Sequence, residues 1–457
     1  MHPFKMDDAA ANNNLKVDIS YRQIISIALP ISLAMLVPQL NYITNNIFLG
    51  QLSQQSLAAA AITGVYYLIF AAIGFGLNNG LQALISRRAG ENRIGEIGKL
   101  FIHGVGISLS IAVIGIIITY TISPWVLQFS IHDEQLLKQS VSFLKIRIWG
   151  LPFLYIYQMR NALLVGTNQS KYLVAGTVAE AVSNIFFDYG LIFGHFGLPA
   201  LGFDGAAIAS ILSEFLGMAV VFAVIHYKGI GKRFSLFSSF KYEAGVSNAI
   251  LSQSSPLIFQ NAISIISWAF FYILIEHHGE RDLSISNAMR NIFGLFGMFS
   301  WALAATCNSM VSNIIGQGLQ HRVIELVVKI VKISTGLALG VCLLLNLFPY
   351  LFLSVYGQSA EWVGDAIPVL RIVSSGLVLM SFSTVLVNAV TGTGNTRVSF
   401  MIEFITITMY CFYVWLVLEY KHSSVAAGWT SEWLYWGAMF IMSFIYLRSG
   451  KWKGKVI

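Results

Sequence analysis

Apolar residues in this chain gather into long runs separated by short segments rich in Gly, Ser, Lys and Arg. A run of about 20 apolar residues crosses the hydrocarbon core of a bilayer as a helix. The pattern predicts twelve spans, near 24–49, 57–85, 98–122, 137–161, 170–194, 204–227, 245–275, 284–313, 324–348, 364–390, 398–420 and 424–447. Two-residue alternation with short turns, the mark of a membrane barrel, is absent. The expected fold is an all-α integral membrane protein. The first 23 residues are polar and lack a compact apolar core, so no cleavable leader is expected.

The spans carry a weak internal repeat. Pro30 pairs with Pro256, Ser86 with Ser312, Gly90 with Gly316, Gly150 with Gly376 and Gly166 with Gly392, each at an offset of 226 residues. Several turn motifs at one offset predict two lobes of six spans. Because six is even, the lobes insert in the same orientation, related by a pseudo-twofold axis along the membrane normal, as in secondary transporters. The expected parts are a tail (1–23), an N-lobe (24–227), a basic linker (228–244), a C-lobe (245–447) and a second tail (448–457).

Composition and charge sharpen this picture. The chain is 56% hydrophobic and 11% charged over 457 residues, against about 25% charged in soluble domains. Of 28 Lys and Arg residues, 21 fall in the tails and one set of alternate loops, against only Lys138, Arg281 and Lys421 in the opposite loops. This asymmetry places both termini in the cytoplasm, and the expected location is multi-pass in the plasma (inner) membrane. It also accounts for the net charge of +7 without nucleic acid. Cys307, Cys342 and Cys411 lie in apolar runs and read as core residues. No P-loop, HExxH, CxxC or GxSxG occurs, so neither an enzyme nor an ATP-driven pump is expected, and no cofactor.

Ionisable residues inside spans are costly and mark ion paths or buried pairs. Here they are Glu180, Asp188, Glu214, Arg290 and Glu403, with Lys145, Arg147, Asp365 and Arg371 nearer span ends. Glu180, Asn184 and Asp188 recur every four residues and share one helix stripe. Such a stripe either binds a small cation or proton, or pairs with a buried base such as Arg290. Glu214 and Glu403 read as structural or lipid-interface residues. Gly74, Gly76, Gly80, Gly294 and Gly297 predict close helix contact. Tyr66, Phe296 and Met298 read as core or lipid-facing positions, with a cavity for flat cations as the second reading.

Four stretches carry a family resemblance: NNIFLGQLSQQSLAAAAI, VGTNQSKY, NIFFDYGLIFGHFGLPALGFDGAAIAS and TGTGNTR. Through them the chain resembles the multidrug and toxic compound extrusion (MATE) family along nearly its whole length. The resemblance implies alternating access between two six-helix lobes and export of small amphipathic organic cations against H⁺ or Na⁺. It places the cation site of the amino-terminal lobe on Asn184, Asp188, Ser210 and Asn45. At position 45 the family usually has Asp, so one titratable charge is missing; at Ser264 many members carry a Glu. The set Asp188, Asn184, Asn45 and Ser210 offers oxygen ligands to Na⁺; alternatively Glu180 and Asp188 share a proton. Organic cations and membrane lipids are the expected partners, and the chain is expected to be a monomer. A flippase for a lipid-linked or oligosaccharide substrate is the alternative.

Overall fold

The computed structural model describes residues 15–131, 133–236, 241–455 and 457. Residues 1–14 of the expected tail and 237–240 of the expected linker lie outside the described residues. The described chain is built of helices: α1 (Tyr21–Leu52), α2 (Gln54–Gly90), α3 (Ile94–Ser130), α4 (Glu134–Arg147), α5 (Leu151–Gly166), α6 (Leu173–Phe193), α7 (Gly202–Tyr227), α8 (Ala244–Glu276), α9 (Glu280–Gly316), α10 (Val323–Leu347), α11 (Ala360–Gly392), α12 (Thr396–Val414) and α13 (Ser431–Ser449). Nine helical segments among the described residues are long and apolar enough to cross a membrane. The helix α6 falls outside that set because Glu180, Asn184 and Asp188 lower its hydropathy. The expected span 137–161 is divided into α4 and α5 by a 3₁₀ turn at Ile148–Gly150.

Local chemistry sets the breaks. Between α1 and α2 the backbone of Ser53 is extended, and its hydroxyl accepts the Ser56 N–H at 3.0 Å, which caps the first turn of α2. Asp133 does the same for α4, accepting from Leu136 N–H at 2.7 Å. The turn at Gly150 is tied to an ion pair, since a Cβ there would collide with the side chains of Arg147 and Glu214.

The chain forms two compact units. One is Leu33–Ile258; the other is Phe259–Ile457 together with the chain up to Ser32. Both divisions fall inside helices, in α1 and α8. Within the first unit α2 packs on α5, α3 on α5, and α6 on α7; within the second α9 packs on α11, α10 on α11, and α12 on α13. The same pairings recur because the halves share one helix order. The repeat extends to the backbone: α2 and α9 begin and end at matching positions. Asn92 and Asn168, with φ of 59° and 61°, match Gly318 and Gly394, with φ of 80° and 91°. Those are left-handed turns, which Gly adopts freely and Asn tolerates.

Close helix contact holds at most of the expected glycines. A Cβ at Gly76 would stand 2.6 Å from the backbone nitrogen of Ile258, and one at Gly80 would strike Ser254, so α2 and α8 meet nearly backbone to backbone there. Gly294 departs from the expectation: it has open space around it, whereas a Cβ at Gly297 would meet Met380 at 3.1 Å. In the second unit, residues before α1 dock as a strap. Asn313 accepts the Val17 N–H at 3.2 Å and donates to the Leu15 carbonyl at 2.9 Å, while Gln317 donates to Val17 O and Lys329 to Ile19 O. Leu15 and Val17 are buried.

Candidate functional site

The helix α6 starts from a 3₁₀ turn at Ser170–Tyr172 and stops at Gly194, whose φ of 80° ends it in the left-handed region. The chain then returns as α7, antiparallel to α6. Two glycines fix their register. A Cβ on Gly205 would run into the backbone of Leu191, and one on Gly217 would lie 2.9 Å from Glu180 Cβ and 3.1 Å from Gly176 O. The helices therefore pack close enough for short polar side chains on facing turns to share one space.

At one end of this pair Leu49, Ala59, Ile192, Phe203 and Ala206 form a buried cluster that joins α1, α2, α6 and α7. The ring of Phe48 lies 6.1 Å from that of Tyr189 and 6.0 Å from that of Phe193. One helical turn inward from this cluster stand Asn45 on α1, Asp188 on α6 and Ser210 on α7, four residues from Leu49, Ile192 and Ala206 respectively. Asn184 follows one turn further along α6. The apolar cluster thus brings the four expected ligand residues to neighbouring levels of three helices in one unit.

The hydrogen bonding of these residues is incomplete. Asp188 is 0% exposed and Asn184 3%. Both carboxylate oxygens of Asp188, the side-chain carbonyl of Asn184 and that of Asn45 are buried without a hydrogen-bond partner. Ser210 donates to Ala206 O at 2.9 Å, which leaves its lone pairs available. Buried polar atoms are almost always partnered, and an unpaired buried carboxylate costs several kcal/mol. An arrangement of only acceptors suits a bound proton or a hard cation with oxygen ligands.

Glu180 has different surroundings. It sits against Gly217 on α7, within the fields of Glu214, Arg160 and Arg147. Arg160 is fully buried; it donates to Asn161 Oδ1 at 3.0 Å, and its guanidinium lies 4.0 Å from the Tyr157 ring. Glu214 is no lipid-interface residue: Arg147 grips it with bonds of 2.5 and 3.0 Å, and both side chains are largely buried. The bases beside the α6 acids are thus Arg147 and Arg160. Arg290, the expected counter-charge, belongs to the other unit, where it is exposed and lies 5.8 Å from the Tyr272 ring.

The remaining expected residues are ordinary in position. Tyr66 is half-buried and donates to Thr119 at 3.1 Å. Met298 is buried core, and Phe296 lines a small apolar cavity with Phe299, Leu303, Leu337 and Leu377. Glu403, read as structural or interfacial, is 3% exposed and accepts hydrogen bonds from Ser264 at 2.8 Å and from Tyr435. A carboxylate therefore does stand beside Ser264, supplied by α12. Glu432, which the sequence reading did not single out, is equally buried and accepts from Trp436 Nε1 at 2.8 Å. Its signal was present: an acid well inside the predicted span 424–447.

Comparison with known proteins agrees with this architecture. The MatE family model matches residues 30–190 and 256–416, two matches that begin at the 226-residue offset of the internal repeat. "Probable multidrug resistance protein NorM" of Thermotoga maritima is 20% identical over 438 residues, covering 95% of this chain and 94% of that protein. The protein of the same name from Synechocystis is 26% identical over 218 residues, 48% of this chain and 47% of its own length. Among solved structures, a MOP superfamily transporter from Pyrococcus furiosus superposes with a TM-score of 0.85 at 20% identity, over 96% of this chain and 97% of that one. A MATE structure in complex with MaL6 reaches 0.87 at 18% identity, over 96% and 97%.

Proposed function

The chain belongs to the MatE family of multi-pass membrane transporters, and on that premise we propose that it is a multidrug exporter coupled to H⁺ or Na⁺. In this reading it exchanges the coupling ion for small amphipathic organic cations by alternating access. It works as a monomer, without a cofactor, in the inner membrane with both termini cytoplasmic. The names of the NorM relatives support efflux of drugs, and the asymmetry of basic loops supports the orientation.

The observation that carries the coupling site is the set of unpartnered buried oxygens on Asn45, Asn184 and Asp188, with the Ser210 hydroxyl one turn from the same apolar cluster. Asp188 supplies the one full negative charge of that set. A proton or Na⁺ bound there neutralises it, and its departure restores a buried charge that favours a different helix packing. Substrate export is then driven by the ion gradient.

The test is transport in proteoliposomes with H⁺ and Na⁺ gradients imposed separately. A cationic dye is expected to accumulate against its gradient under one of them, and Asp188→Asn is expected to reduce that accumulation to the level of empty liposomes. Full accumulation in Asp188→Asn would remove Asp188 from the coupling site.

A further inference from the structure

The buried cluster of Leu49, Ala59, Ile192, Phe203 and Ala206 draws on four helices. Three of them carry an expected ligand one turn from it: Asn45 on α1, Asp188 on α6 and Ser210 on α7. The fourth helix, α2, has an oxygen at the same step, on Thr63, four residues from Ala59. Thr63 lies outside the set that the family resemblance singles out. It is 1% exposed, and its hydroxyl donates to Ala59 O at 2.8 Å. Ser210 holds the same posture, donating to Ala206 O at 2.9 Å. In both residues the one hydroxyl proton is committed to the preceding turn, so the lone pairs are what each can offer to a ligand.

Chain direction brings the four residues to one level. The cluster lies near the C-terminal ends of α1 and α6, whereas α2 and α7 start beside it and run away. The Phe48 ring lies about equally far from those of Tyr189 and Phe193, at 6.1 and 6.0 Å, which sets Asn45 level with Asp188. Helical side chains lean toward the N-terminus. Asn45 and Asp188 therefore lean away from the cluster, and Thr63 and Ser210 lean back toward it.

We infer that Thr63 is a further ligand of the coupling site, closing a ring of oxygens from four helices that suits Na⁺ better than a proton. The inference rests on Asp188 being the coupling carboxylate and adds a residue to that reading. A proton on Asp188 makes one hydrogen bond and leaves the other acceptors without a partner. A hard cation draws carboxylate, amide and hydroxyl oxygens together. The unpartnered oxygens of Asn45, Asn184 and Asp188, with the lone pairs of Thr63 and Ser210, are such a set.

Equilibrium binding of radiolabelled Na⁺ to the purified full chain tests the assignment, with proton uptake measured on the same samples. Thr63→Val keeps the branched shape and removes the oxygen. Its Na⁺ dissociation constant is expected to rise by about tenfold or more, the scale of one lost contact to a charge. Thr63→Ser keeps the hydroxyl and is expected to match wild type. A hydroxyl that only bonds its own helix shifts the unfolding temperature and leaves the dissociation constant alone. Wild-type Na⁺ affinity in Thr63→Val therefore overturns the proposal, as does equal weakening in Thr63→Ser. Should Thr63→Val fail to fold, Thr63→Ala takes its place and is read in the same way. Asp188→Asn separates this proposal from the reading beneath it. If ion binding survives in that variant, Asp188 is not the coupling carboxylate and both fall. If the wild-type chain takes up a proton through Asp188 and binds no Na⁺, that reading stands and the Thr63 ring alone falls.

Discussion

Glu180 and Asp188 lie two helical turns apart on one face of α6, yet their neighbours differ. Asp188 is fully buried with both oxygens unpartnered, whereas Glu180 lies within the fields of two arginines. The charge missing at Asn45 is therefore not replaced at the same level by Glu180. Glu180→Gln is expected to keep ion-coupled transport while lowering stability by about 1–2 kcal/mol, because Arg160 loses a compensating charge. Thermal unfolding in detergent and dye transport measure the two effects separately; loss of coupling with unchanged stability would reverse the assignment. The four-residue spacing of these side chains was readable in the chain itself. Which of them faced an arginine was not, because that depends on the register of α7 against α6, which Gly205 and Gly217 set through contacts between residues distant in sequence.

Among the helices and their connections, the duplicated turns make a comparison that needs no outside reference. Asn92 and Gly318 occupy equivalent left-handed positions after α2 and α9, and a Cβ on Gly318 would meet nothing within 4 Å. Substitution there tests conformation alone. Gly318→Ala is expected to cost about 1 kcal/mol, the penalty for an ordinary residue in this region, while Gly318→Asn stays within a few tenths of wild type. Melting temperatures of the two variants in one detergent decide it, and equal losses would contradict the conformational explanation. The break between α4 and α5 was missed as a feature of sequence because the apolar run continues through it. Its local signal is Pro152 in the first turn of α5, which has no N–H to offer the Ile148 carbonyl; the Arg147–Glu214 pair that packs at Gly150 joins residues more than sixty positions apart.

For the whole molecule, the hydrophobic runs carried the all-helical architecture, since a bilayer forces each long run to become a helix. The repeat offset was readable because turns constrain glycine and asparagine wherever they occur. Side-chain partnerships were not readable in the same way: nothing local in the chain announces that Ser264 meets Glu403. The orientation proposed from the basic loops yields its own expectation. Single cysteines at Lys228 and Lys451, in a background lacking Cys307, Cys342 and Cys411, are expected to resist an impermeant maleimide in intact cells and to react in everted vesicles. A cysteine at Lys421 is expected to behave oppositely, and the reverse pattern at all three would invert the topology.

The strap at residues 15–19 bears on how this chain should be trimmed for expression. Polar residues ahead of a first membrane helix are commonly discarded as dispensable. Here Asn313, Gln317 and Lys329 make hydrogen bonds to the backbone of that segment, and Leu15 is as hidden from solvent as any core side chain. Deleting it would expose the side chains that now hold it and the apolar surface beneath Leu15. A shortened recombinant chain should therefore be cut ahead of Leu15, and an affinity tag joined directly at Tyr21 would change the folded body as well as its label.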